Sequence, residues 1–141
     1  MEMSYLEEIR RKGRDANPFF QLMGIELGTY GNGEAELFML VRPDMHNGVG
    51  WLQGGLFTAL CDEAMALALF TVLEERVGIA TISESTSFLQ GVRSGRIRAT
   101  GKVIKRGRSV AFMGGNVKSE DGITLTETRA SFAIMPNRQK D

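Results

Sequence analysis

The chain has 141 residues, enough for one domain of ordinary size and too few for two. Its 43% hydrophobic and 24% charged residues exclude wholesale disorder, and its zero formal net charge argues against a dedicated nucleic-acid binder. A single Cys and a single His exclude a disulfide framework and an ordinary Cys/His zinc site, so no metal is expected.

In chain order, residues 4–15 predict a short charged helix, with Ser4 as N-cap and Glu7 completing a capping box. Asn17-Pro18 starts a second short turn or helix carrying Phe19, Phe20, Leu22 and Met23, so residues 1–23 form an N-terminal helical segment. Ile25, Leu27 and Thr29 then alternate with Glu26 and Gly28 as a strand. Gly31-Asn32-Gly33 offers a hairpin turn, and Ala35, Leu37, Met39 and Val41 mark the return strand, which Pro43 ends.

Residues 53–75 predict the one long helix. Its apolar positions lie all round the axis, which implies burial on every side. Strand patterns resume over residues 79–89, 95–105, 109–119 and 123–135, separated by short turns, among them Asp121-Gly122. Residues 137–141 form a polar tail expected to fray. No linker or internal repeat interrupts residues 1–141, so the expectation is a single α+β domain. Its antiparallel sheet of five or six strands wraps a central helix. The Ser/Thr run Thr81, Ser83, Ser85 and Ser87 implies that part of one sheet face is wet or lines a site. The most apolar stretch, residues 56–73, holds Asp62 and Glu63, so no membrane span is expected; with no disulfide and no secretory pattern, the expected compartment is the cytoplasm.

The chemistry concentrates in the stretch from His46 to Gly55 and in Asp62 and Glu63 two turns into the helix. Glycines at a helix start leave backbone N–H groups unobstructed, and the first turn has orphan donors suited to a carbonyl oxygen, an oxyanion or a phosphate. Gly54-Gly55 equally suits close packing. Two adjacent acids in an otherwise apolar helix need partners, because desolvating a carboxylate is costly. Those partners are either structural ones, at an interface or a solvent gap, or part of a reacting site. Cys61, set among Leu60 and Ala64, reads as a buried inert thiol, and His46 reads as a loop residue.

The pattern Asn47-x-x-Gly50-x-x-Gln53-Gly54-Gly55, followed by Asp62, resembles the motif of hotdog-fold acyl-CoA thioesterases of the PaaI type. The strand holding Thr81, Ile82, Ser87, Phe88 and Leu89 and the turn Lys105-Arg106-Gly107-Arg108 resemble later parts of that family. The resemblance covers about residues 20–135. It implies a hotdog fold, a homodimer commonly doubled to a tetramer, and acyl-CoA sites at subunit interfaces, with no separate cofactor because coenzyme A belongs to the substrate. It further implies that the Gly54 and Gly55 N–H groups polarise the thioester carbonyl and that Asp62 of the partner attacks it or activates water. Asn47 would hold water or the carboxylate. Thr81, with Ser83 the alternative, would orient the same group. Where the family has His, this chain has Gln53, which fixes geometry by hydrogen bonds but does not titrate near neutral pH. Arg106, Gly107 and Arg108 form either a solvated hairpin tip or a grip for coenzyme A phosphates. The leading expectation is an acyl-CoA thioesterase. A non-catalytic acyl-CoA-binding or sensor protein is the alternative, and a hotdog dehydratase or hydratase is disfavoured by Gln53.

Overall fold

The computed structural model describes residues 4–136, so the expected frayed tail at 137–141 lies outside the described residues. Ser4 accepts a hydrogen bond from Glu7 N at 3.2 Å and starts α1 (Tyr5–Lys12). The helix stops earlier than residue 15, because Gly13 turns the chain with φ of 60° into a 3-10 turn, Gly13–Ala16. Asn17 caps α2 (Pro18–Met23): its Oδ1 accepts from Phe19 N and Phe20 N, and Pro18 occupies the first turn, where its missing N–H costs nothing.

Strands β1 (Glu26–Gly31) and β2 (Glu34–Val41) form the first hairpin. Its turn places Asn32 at φ 53° and Gly33 at φ 81°, the left-handed pair such a turn requires. The long helix α3 (Gly54–Phe70) follows, and then β3 (Gly78–Phe88), β4 (Gly95–Arg106), β5 (Val110–Lys118) and β6 (Thr124–Met135). All pairings are antiparallel, in the order β1-β2-β4-β5-β6-β3, which leaves β1 and β3 at the edges.

One sheet face packs on α3. Leu37, Met39, Ile97, Ala99, Met113, Val117 and Phe132 from the sheet meet Phe57, Leu60, Met65, Leu67 and Leu69 from the helix, all buried. Gly101 lets the helix come close: a methyl there would lie 2.5 Å from both the Ala64 carbonyl carbon and Met65 N.

The long helix differs from expectation in two ways. It ends at Phe70, not at residue 75, because the Thr71 hydroxyl donates to Ala68 O and accepts from Gly33 N, tying the chain to the first hairpin. Nor is it buried on every side. Gly55, Ala59, Asp62, Glu63, Ala66 and Phe70 form a stripe that the chain's own sheet leaves partly open.

Candidate active site

Asp62 lies on that open stripe, facing β3. Its Oδ1 accepts a hydrogen bond from Thr81 Oγ1 at 3.1 Å. Ser83 does not share this position. Its hydroxyl meets Ser131 Oγ at 3.1 Å, where β3 and β6 are paired. The two residues separate because β3 carries a bulge: Thr81 pairs with Phe132 and Ser83 with Ser131, leaving Ile82 without an opposite residue. Beyond the bulge, Glu84 and Thr86 face α3. Thr86 Oγ1 meets Thr58 Oγ1 at 2.8 Å and Thr128 Oγ1 at 3.0 Å.

Glu84 escaped the sequence reading. Burial, with Asp62 beside it as both hydrogen-bond partner and like charge, pushes its carboxyl up to about 8. In a regular strand the odd spacing from Thr81 puts Glu84 on the opposite face, and polar neighbours on both sides hide the change of parity.

Glu63 has a structural partner. Asn17 Nδ2 donates to Glu63 Oε1 and to the Tyr5 hydroxyl, both at 2.9 Å, so one side chain ties α1, α2 and α3 together. Burial raises the Glu63 carboxyl above its ordinary range, the Asn17 hydrogen bond opposes this, and the Asp62 charge adds to it. Burial likewise pushes the Tyr5 phenol up to about 12. Between these groups lies a cleft of about 340 Å³. Asp62, Glu63, Thr81 and Tyr5 line it together with apolar Phe70, Ile79 and Phe132.

The loop ahead of α3 is built by Asn47, whose Oδ1 accepts from Val49 N at 3.0 Å and Trp51 N at 3.1 Å. His46 Nε2 bonds Arg93 O at 2.7 Å, a loop role rather than an acid–base one. Gln53 occupies the N-cap without a side-chain capping bond. Its Oε1 lies beside Gly55, 2.8 Å from where a Cβ would stand, and the Phe88 ring lies 3.3 Å from the corresponding point on Gly54. Both glycines therefore let these side chains lie close against the first turn of the helix, where the Gly54 and Gly55 N–H groups have no partner from a preceding turn. Cys61 is buried, and burial pushes its thiol up to about 12, which removes it as a nucleophile.

The basic turn is only partly available. Arg106 donates to Glu74 Oε2 at 3.2 Å, whereas Arg108 has no ion-pair partner among the described residues. This pairing sets the turn near the C-terminal end of α3, roughly 25 Å from Gly54 along a 17-residue helix. Gly107 holds the turn through its N–H to Val110 O at 2.9 Å.

Residues 50–126 match the family model described as "Thioesterase superfamily", a span that includes Gly54, Gly55, Asp62, Thr81 and Glu84. The chain belongs to the thioesterase superfamily. Solved structures with the same fold include a phenylacetic acid degradation-related protein of Ralstonia eutropha, 24% identical with a TM-score of 0.83, covering 92% of this chain and 98% of that one. A thioesterase from Haemophilus influenzae is 24% identical with a TM-score of 0.81, covering 87% and 86%. A thioesterase family protein from Silicibacter pomeroyi is 22% identical with a TM-score of 0.82, covering 92% and 98%. The six-stranded sheet with its long helix is thus the α+β hotdog fold expected from the sequence. Among the described residues, no helix of this thioesterase-superfamily chain is long and apolar enough to cross a membrane.

Proposed function

We propose that this protein is an acyl-CoA thioesterase that works as a homodimer, with Asp62 of one subunit facing the Gly54-Gly55 helix start of the other. One observation carries the reading: Asp62, tethered by Thr81, borders an apolar cleft, yet lies eight residues beyond Gly54 on the same helix. At 1.5 Å per residue the two are about 12 Å apart. A reacting carbonyl needs nucleophile and oxyanion donors each within about 3 Å. A second copy supplies the missing half.

Two features support that copy. The uncovered stripe of α3 presents small residues, Gly55, Ala59 and Ala66, beside the two acids. Alongside it β3 is an edge strand with exposed Ile82, Phe88 and Leu89 nearby, the kind of edge that calls for pairing. A two-fold axis through paired β3 edges runs the helices in opposite directions, which brings the glycine end of one toward Asp62 of the other.

In this reading the Gly54 and Gly55 N–H groups and the positive helix end stabilise the oxyanion. Asp62 takes a proton from water as the water oxygen bonds to the carbonyl carbon. When the tetrahedral intermediate collapses, the C–S bond breaks and Asp62 returns the proton to the coenzyme A thiolate. Direct attack by Asp62 gives the same products through a mixed anhydride that water then cleaves. Gln53 adds an amide beside the oxyanion, and the Asn47 carboxamide nitrogen serves water, its oxygen being committed to the loop. Arg108 meets the coenzyme A phosphates. The reaction needs no cofactor, and a cytoplasmic location belongs to the same reading.

The test is thiol release from a panel of aryl-, short-chain and long-chain acyl-CoAs, with light scattering at assay concentration. Turnover by a dimer or tetramer is expected, and a fully active monomer refutes the shared site. Stoichiometric acyl-CoA binding without thiol release points instead to the binding or sensor alternative, which Gln53 in place of the family His favours.

A further inference from the structure

We propose that Glu84 is the positioning residue for Asp62: its neutral carboxyl donates a hydrogen bond to the Asp62 carboxylate and, with Thr81, fixes the orientation in which that group acts. The inference rests on the thioesterase reading of Asp62. It begins with the β3 bulge. Ile82 has no opposite residue on β6, so Thr81 before it and Glu84 after it both turn toward α3. Thr81 Oγ1 donates to Asp62 Oδ1 at 3.1 Å, and Thr86 Oγ1 meets Thr58 Oγ1, one turn earlier on α3, at 2.8 Å, so Glu84, between them on the same strand face, stands beside Asp62.

Two ionised carboxyls have only acceptors to offer one another, so a hydrogen bond between Glu84 and Asp62 requires a proton on one of them. Glu84 is the better holder. Its Oε2 is buried and no donor among the described residues reaches it, a state that a neutral acid tolerates far better than an anion. Burial and the adjacent Asp62 hold it protonated up to about pH 8.

The other groups around it leave this assignment in place. From α3, Asp62 and Cys61 face Glu84, and the thiol stays neutral up to about pH 12. From β6, Ala130 stands opposite and Thr128 lies on the same face, neither of which titrates. Glu127 of β6 is exposed on the other face. The result is a carboxylate gripped by two donors, one hydroxyl and one carboxylic acid, with its remaining lone pairs directed at the cleft. Positioning of this kind costs nothing at the moment of reaction because the donors are already in place.

Carboxyl carbon-13 NMR on the full chain reads the pair without reference to turnover. Glu84 titrates near pH 8 in the wild type and falls toward the ordinary carboxyl range in Asp62→Asn; an ordinary value in the wild type overturns the proposal. Kinetics read the role. Glu84→Ala lowers kcat by about tenfold to a hundredfold at neutral pH with little change in KM, the loss expected for a hydrogen bond to a charged group. Glu84→Gln keeps a donor, so it rescues most of that loss and also abolishes the fall in kcat that the wild type shows above about pH 8. Melting curves establish that each variant is folded. A Gln variant as impaired as the Ala variant, or one that keeps the alkaline fall, overturns the positioning role. If the wild type releases thiol from no acyl-CoA, the thioesterase reading falls and takes the kinetic role with it, while the titration still decides whether the pair shares a proton.

Discussion

Gly101 offers the sharpest perturbation of the platform that carries Asp62. It pairs with Ala35 and Gly115 in the middle of the sheet and lies under the centre of α3. A methyl at this position would stand 2.5 Å from the Ala64 carbonyl carbon, 2.5 Å from Met65 N and 2.6 Å from Ala64 O. All three are main-chain atoms, so no rotamer change makes room. Ordinary contact begins at 3.4 Å, and the helix must therefore retreat by about 0.9 Å at a turn where Leu60, Cys61, Ala64, Met65, Leu67 and Ala68 are buried. Overpacking costs about 1–3 kcal/mol where side chains can adjust, and a rigid helix backbone puts Gly101→Ala at the upper end, about 3 kcal/mol. For a chain of this length that corresponds to a fall in Tm of roughly 10 °C, read by circular dichroism or calorimetry at matched concentration. The retreat also draws Asp62 away from Thr81, so the folded fraction loses more activity than unfolding alone removes. Because the obstruction is backbone, adding Ala64→Gly does not restore the variant. Gly115→Ala is mixed: its methyl would meet the Cys61 sulfur and also lie 2.8 Å from the Thr100 backbone oxygen, so Cys61→Ala restores only part of its loss. A Gly101→Ala protein that melts with the wild type, or one repaired by Ala64→Gly, refutes the claim that the helix backbone rests on this glycine.

Asp62→Asn lowers thiol release by about a hundredfold or more while leaving melting unchanged, and Glu63→Gln, whose partner is the structural Asn17, does far less; equal losses in both variants refute the assignment. Arg108→Ala raises KM for acyl-CoA more than Arg106→Ala does, because Glu74 already holds Arg106, and neither changes KM for a pantetheine thioester that lacks the phosphates; an equal rise on both substrates returns the turn to a structural role. The native Glu84 pKa of about 8 exceeds the ordinary 4.5, so the native state binds more protons than the unfolded one between these values and stability falls as pH rises across the window. Partial exposure of Glu84 screens this slope, Glu84→Gln flattens it, and identical slopes of urea midpoint against pH in both proteins refute it.

The strands were legible because apolar and polar residues alternate where one face is buried, as in β2, where Ala35, Leu37, Met39 and Val41 all point to the core. Turn chemistry was legible too, since Asn32-Gly33 and Gly122 adopt the positive φ for which their residue types are suited. The end of α3 was not. Val72 and Leu73 prolong the apolar run, while the actual stop depends on the Thr71 hydroxyl meeting Gly33 N, 38 residues earlier in the chain. Composition also misled about burial. A helix apolar all round satisfies a core and an interface equally well, and only the sheet's position reveals that the Gly55–Phe70 stripe is left for something else.

The candidate site divides along the same line. Gly54, Gly55 and Asp62 stand on one helix at spacings that periodicity alone converts into geometry. Thr81, Ser83 and Glu84 depend on strand parity, which one unpaired residue reverses. Between Thr81 and Ser87 the residues on both faces are polar apart from Ile82 itself, so no change in apolar alternation marks the bulge. Its only trace lies in the partner strand, where Thr126, Thr128, Ala130, Phe132 and Ile134 keep an unbroken period of two. Set against that row, Ile79, opposite Ile134, and Phe88, opposite Thr126, can both lie on the α3 side only if one residue between them is skipped. Both do lie on that side: Ile79 packs on the core, and Phe88, though 56% exposed, meets the Phe57 ring at 6.2 Å. The register at the two ends of β3 thus requires one skipped residue, and the bulge that supplies it turns a second carboxyl toward the side of the sheet that Asp62 faces.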